Sequence, residues 1–229
     1  MPQSVARSCG LIPELPVGEL RDDPAILGLG FFALVAFSTA EAQTRTQLSN
    51  FDVSGGKIDK AAGDRPMVGS KEMRATLKKI GPSQRVTIKF TYLGPSSEVS
   101  HLGNGEVRHQ FGIKLKAQDI CNLVYVMWNF DTQRIAVSVK LNPGQRTHED
   151  CLDRGYINNI KPRVNVPPSP VRADQPHILY AELEGKELTV KADGRVVWQG
   201  TLVPVVLQFK GPVGIRSDNA HVVFDFLVG

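Results

Sequence analysis

Cysteine is scarce in this chain, aromatic residues are few, and no apolar run is long enough to cross a bilayer. No phosphate-cradling loop, dinucleotide fingerprint or Ser/His/Asp set occurs, which removes the common nucleotide-dependent and serine-hydrolase chemistries. The histidines (His101, His109, His148, His177 and His221) lack metal-ligand spacing. His148-Glu149-Asp150 beside Cys151 could hold a cation, but a solvated loop is the better reading. There is no low-complexity tract or long charge run, and no recognition helix, zinc spacing or aromatic RNA-binding signature, so nucleic acid is not an expected partner.

The first 42 residues differ in character from the rest. An apolar run, residues 26–37, is followed by small residues at Ala40 and Ala42, the pattern of a signal peptide cleaved near Ala42. The run taken alone also suits an uncleaved anchor or a buried strand. Cleavage would give a periplasmic or extracellular protein with no transmembrane segment. It would leave 25 basic and 18 acidic residues, a balance that permits attachment to acidic polymers. Cys9 would depart with the leader, and Cys121 and Cys151 would remain as a pair in an oxidising compartment. A bridge between them would close a loop of about 30 residues, worth on the order of 3–4 kcal/mol. Two free, buried thiols are the alternative for a chain that stays in the cytoplasm.

Turn-forming residues (Gly 21, Pro 15) favour a β architecture, and only residues 73–80 read as helix. From Arg85 onward the dominant period is two. Val86, Ile88, Phe90 and Tyr92 alternate with polar residues, as do Phe111, Ile113 and Leu115. Residues 120–129 are apolar on both faces, as a central strand should be. Residues 133–141 alternate through Ile135, Val137, Val139 and Leu141, and Asp131-Thr132 reads as the tight turn between these two strands. A long excursion, 142–175, contains Pro143, Pro162, Pro167, Pro168 and Pro170, so continuous pairing is not expected there. Beyond it come short strands, with Asp193-Gly194 as a two-residue hairpin signal and Val222, Phe224, Phe226 and Val228 on one face of the last strand. The count is nine to eleven strands. They make an all-β, antiparallel sandwich, organised as a leader (1–42), an N-terminal strand and loop segment (43–84) and the main sandwich (85–229), one domain over 43–229.

The hairpins of 177–198 (HILYAELEGKELTVKADGRVVW) and the ending of 211–226 (GPVGIRSDNAHVVFDF) resemble the concanavalin A-like lectin/glucanase superfamily. Laminin G-like and keto-disaccharide hydrolase-like domains end similarly. The resemblance covers 172–229, and 85–141 more loosely. It implies a jelly-roll sandwich without fixing the function. Glycosidases of that superfamily resemble one another through Glu-x-Asp-x-x-Glu on one strand. Here Glu182-Leu-Glu184-Gly-Lys-Glu187 replaces the middle Asp and interposes a Gly-Lys turn, so no catalytic set is assigned.

The resemblance implies a non-catalytic, lectin-like domain for an unspecified glycan or polysaccharide. A keto-disaccharide hydrolase-like enzyme and a structural envelope protein are the alternatives. Saccharides stack their C–H faces on aromatic rings and meet amides and carboxylates through hydroxyls. Trp128, Asn129 and Asp131, at the end of the central strand, are the first candidates, with Trp198 and Arg216 second; both tryptophans also suit a core. No cofactor is required, but Asp218, Asn219 and Asp225 carry oxygens that calcium could use, and they are equally good turn formers.

Overall fold

The computed structural model describes residues 42–78 and 83–229. The expected signal peptide, apart from Ala42, lies outside the described residues. Short β-segments open the described chain: β1 (Thr44–Arg45), β2 (Phe51–Gly55), β3 (Asp59–Lys60), β4 (Pro66–Val68) and β5 (Glu72–Leu77). Longer strands follow: β6 (Arg85–Pro95), β7 (Gln110–Leu115), β8 (Leu123–Asn129) and β9 (Arg134–Lys140). The excursion contributes one helical turn, α1 (His148–Cys151), and two strand fragments, β10 (Tyr156–Ile157) and β11 (Val164–Asn165). The chain closes with β12 (Pro176–Glu184), β13 (Glu187–Ala192), β14 (Arg195–Thr201), β15 (Gly214–Asp218) and β16 (Ala220–Val228).

All pairings are antiparallel and assemble two sheets. The nine-stranded sheet runs β11-β14-β13-β12-β6-β16-β4-β3, with β1 also on β16. The seven-stranded sheet runs β10-β9-β8-β7-β15-β5-β2. The inner faces meet in one core, to which β6 gives Val86, Ile88 and Phe90, β8 gives Val124, Val126 and Trp128, and β16 gives Val222, Phe224 and Phe226. These are the positions that period-two alternation assigns inward, because successive side chains on a strand point to opposite faces. The fold is the antiparallel sandwich the sequence predicts.

Four local expectations need correcting. Residues 72–77 form β5, not a helix. Met73 and Ala75 and Leu77 are rich in helix formers, but β2 and β15 bond them on both sides and their burial alternates, so tertiary pairing overrides propensity. The turn after β8 spans four residues because Asn129 pairs with Arg134. Asn129 accepts the Thr132 amide at 2.8 Å, and Gln133 takes a positive φ of 53°. Sixteen strands are present among the described residues, since β1, β3, β4, β10 and β11 are too short to show a period. Trp198 is a core residue, for which a bulge in β14 is responsible. Val190 pairs with Trp198 while Lys191 pairs with Val196, so Val197 and Trp198 are consecutive and both buried.

Other expectations hold. Asp193-Gly194 makes the two-residue turn between Ala192 and Arg195, both with positive φ (49° and 81°). Val222, Phe224, Phe226 and Val228 share the buried face of β16. The excursion has no continuous pairing: β10 joins β9 at the edge of one sheet, and β11 joins β14 at the edge of the other. Cys121 and Cys151 are bridged, with Cα atoms 5.9 Å apart, which ties α1 to the chain just before β8.

Candidate functional site

The outer face of the seven-stranded sheet differs from an ordinary solvated face. Alternation turns Phe111, Ile113 and Leu115 of β7 inward, which leaves Gln110, Gly112 and Lys114 outward; β15 likewise turns Gly214, Arg216 and Asp218 outward. Register places Lys114 beside Gly214 and Gly112 beside Arg216, so cations and glycines form a diagonal two-by-two pattern. β8 adds Tyr125 next to Lys114 and Met127 next to Gly112, and β5 adds Arg74 next to Arg216. Lys114 (2%), Arg216 (8%), Asp218 (2%) and Tyr125 (2%) are all buried.

Asp218 organises the charges. It takes Nε of Arg216 at 2.8 Å, Nη1 of Arg74 at 2.9 Å and the amide of Gln110 at 2.6 Å. Burial would raise its pKa, but the two guanidiniums and the amide outweigh burial and hold it below the usual carboxylate range. Arg216 also sits over the Tyr125 ring, its guanidinium carbon 4.9 Å from the centroid, and Asp218 keeps it charged against the penalty of burial. Lys114 makes no hydrogen bond or ion pair among the described residues. Burial first, then Arg74 and Arg216, push its pKa down to about 7.

Gly112 and Gly214 keep the floor bare for a steric reason. A Cβ on Gly112 would lie 2.1 Å from the Val126 carbonyl oxygen, and one on Gly214 would lie 2.1 Å from that of Ala75. The neighbouring strands therefore exclude a side chain at both places, and buried main chain without a side chain lies between the cations.

Loops rim this band at both strand ends. At one end Asn219, at a positive φ of 54°, donates to the Ser100 and Arg108 carbonyls and accepts the Ser100 amide, and Ser100 bonds Glu72. At the other end the excursion comes down on the sheet. Lys140 donates to the Leu152 carbonyl at 2.6 Å and lies over the Tyr156 ring, which stacks on Tyr125 at 6.2 Å between centroids. The disulfide and the Asn142 bonds to the Cys121 and Arg154 carbonyls anchor that rim.

Of the residues picked from sequence, Arg216 and Asn129 lie on this face. Asn129 caps the following turn with its side-chain oxygen. Asp131 sits in that turn and binds His109, 2.9 Å from Nδ1. Trp128 and Trp198 are instead packed in the core, as their alternative reading has it. Trp128 is wholly buried between Phe90 and His177, at 5.6 and 5.5 Å between ring centroids, and presents no surface to a ligand. The calcium candidates do not come together. Asp218 faces outward from the seven-stranded sheet, Asn219 holds a loop, and Asp225 lies on the outer face of the nine-stranded sheet with Arg45 and Arg65. Among the described residues no three carboxylate, histidine or cysteine side chains cluster around a metal position. Glu182 pairs with Arg85 at 2.7 Å on the outer face of the nine-stranded sheet, and Glu187 pairs with Arg163 on the next strand, so these carboxylates share no cleft.

Sequence reading missed Lys114, Arg74, Gln110 and Tyr125. Each occupies the polar phase of an alternating strand or a two-sided central one, and only strand order brings them together.

No family model and no curated protein sequence matches the chain. Among solved structures, the carbohydrate-binding module CBM66 from Bacillus subtilis is similar, with a TM-score of 0.54 at 13% identity over 76% of this chain and 91% of that one. A Bacillus subtilis protein of unknown function with a galectin-like fold reaches 0.49 at 8% identity over 82% and 97% of the two chains. The carbohydrate recognition domain of Emp46p, in a metal-free form, reaches 0.48 at 15% identity over 79% and 88%. At these identities the likeness is one of fold alone, the antiparallel two-sheet sandwich shared with the carbohydrate-binding module.

Proposed function

We propose that this protein is an exported, non-catalytic domain that binds a glycan across the outer face of the seven-stranded sheet. The observation that carries the reading is the fixed pairing of Arg216 with Tyr125 and Asp218, next to Lys114, which is unpartnered among the described residues. Arg216 is thereby a preorganised cation whose terminal nitrogens are free of protein partners among the described residues, a donor of the kind with which saccharide hydroxyls are recognised. The carbohydrate-binding role named for the Bacillus subtilis module of the same fold supports a saccharide ligand. The Cys121–Cys151 bridge and the signal-like 26–42 segment support export.

The non-catalytic part of the reading rests on Asp218. Glycoside hydrolysis needs one carboxyl kept protonated to act as an acid, with a second placed across the bond. Asp218 is driven the other way by its two arginines, and Glu72 beside it is engaged with Ser100 and Arg74 at the rim. The test is a panel of neutral and acidic polysaccharides presented to the purified protein. Saturable binding with no released sugar is the expected outcome. Sugar release would replace this reading with the hydrolase alternative, and a blank across the whole panel would replace it with a structural role.

A further inference from the structure

We propose that the ligand of this face is an anionic saccharide, whose carboxylate or sulfate group docks between Lys114 and Arg216. The inference rests on the glycan-binding reading and adds the chemical class of its ligand.

The argument is one of uncompensated charge. Two buried cations, Lys114 and Arg216, and the partly buried Arg74 converge on the band, and Asp218 is the one buried carboxylate among them. Asp218 is shared by the two arginines, so Lys114 has no counter-charge among the described residues. The terminal nitrogens of Arg216 also take no partner there, because its bond to Asp218 uses Nε. A buried ammonium without a partner is unfavourable, and two neighbouring guanidiniums make it more so. An apolar residue would serve packing better at that place. An anion reaching Lys114 and Arg216 would supply the missing charge and meet a planar guanidinium suited to two-point recognition of a carboxylate or sulfate.

The groups facing Lys114 are consistent with this. They are Tyr125 from β8, Gly214, Arg216 and Asp218 from β15, and Arg74 from β5; among the ionised ones, cations outnumber the single carboxylate. The depressed pKa of Lys114 also means that an anion would draw a proton onto the lysine as it binds.

The experiment compares polygalacturonate with neutral galactan, and dextran sulfate with neutral dextran, on the full-length protein and two variants. Lys114→Met removes the charge while keeping the length of the side chain. Lys89→Met removes an exposed charge on the outer face of the other sheet and controls for general attraction to polyanions. The expected result is binding of one or both acidic polymers, weakened at least tenfold by Lys114→Met and by less than twofold by Lys89→Met. The uronate and sulfate arms distinguish which anion is read. Binding of a neutral polymer that Lys114→Met leaves unchanged would overturn the anionic assignment while leaving the glycan reading in place. Equal losses in both variants would also overturn it, since attraction would then be diffuse. Absence of binding to all four polymers, together with a blank on the wider panel, would overturn the glycan reading itself. Thermal melting checks that both variants fold, and Lys114→Met is expected to melt no lower than the parent.

Discussion

The guanidinium of Arg216 lies over the ring of Tyr125, 4.9 Å from its centre, while Asp218 grips the same side chain through Nε. Removing the guanidinium leaves Asp218 buried with Arg74 and Gln110 alone. Arg216→Ala is therefore expected to lose about 3 kcal/mol of stability, towards the lower end for a broken buried pair because one arginine remains. Arg216→Lys keeps the charge without the planar fork and should fall between the two. Urea denaturation ranks the three proteins, and a variant as stable as the parent would show that Arg216 is not held as described.

Acid and alkali should act on this face in different windows. The folded pKa of Asp218 lies below its unfolded value, so its stabilisation is present above about pH 4 and is lost as pH falls through the folded value. Asp218→Asn should be less stable at pH 7 and show a shallower acid limb. Lys114 behaves in the opposite sense. Its folded pKa of about 7 lies below 10.5, so the unfolded chain holds more protons between those values and stability should rise with pH across that window. Lys114→Met should lack that rise and exceed the parent at pH 6 by something on the order of 2–4 kcal/mol. Melting temperatures from pH 3 to 10 check both slopes.

Breaking the bridge should free the rim without dismantling the sheets. A Cys121→Ser, Cys151→Ser double variant is expected to lose about 3–4 kcal/mol, the chain-entropy value for this loop. Mass analysis of exported protein under non-reducing conditions should show both cysteines oxidised, and its N-terminal sequence should begin at Gln43. An intact Met1 on exported protein would overturn the signal-peptide reading.

Trp128 separates a core role from a ligand role. Trp128→Ala should cost about 3–5 kcal/mol through the cavity it leaves against Phe90 and His177. Trp128→Phe, which refills most of that space, should bind the ligand like the parent. Lost binding at unchanged stability would bring Trp128 back to the site.

Calcium should be dispensable. Asp218 is saturated by arginine and amide donors, and Asp225 is on the far side of the sandwich with Arg45 and Arg65. Chelation with EDTA is expected to leave both melting temperature and glycan binding unchanged. A fall of more than a few degrees would point to an ion bound elsewhere in the protein.

What could be read from the sequence was the sandwich, because burial of one sheet face imposes a period of two wherever a strand is long enough to show it. Val86, Ile88 and Phe90 carry that signal, and Phe224 and Phe226 carry it again at the chain end. The site was far less legible. Lys114 and Arg216 are about a hundred residues apart, and nothing along the chain says that β7 and β15 are neighbours. Lys114 looked like a solvated residue on the polar side of its strand, and Arg216 was a second-choice candidate with no sign of its neighbours. Trp198 misled for a local reason: a bulge turns two consecutive residues into the core, where alternation would have sent one of them out. Trp128 lies in a strand buried on both sides, and such a strand carries no mark of which face is which.

The excursion has one more effect, on how copies of this protein meet. Its two fragments lie along β9 and β14, the last long strand of each sheet on that flank. Bare strands there would offer free amides and carbonyls to a second chain. Each fragment pairs for only two residues, and Pro162, Pro167, Pro168 and Pro170, which lack amide donors, surround the second. On that flank, strand-to-strand addition of a second chain is disfavoured by the same segment that builds the rim of the proposed binding face.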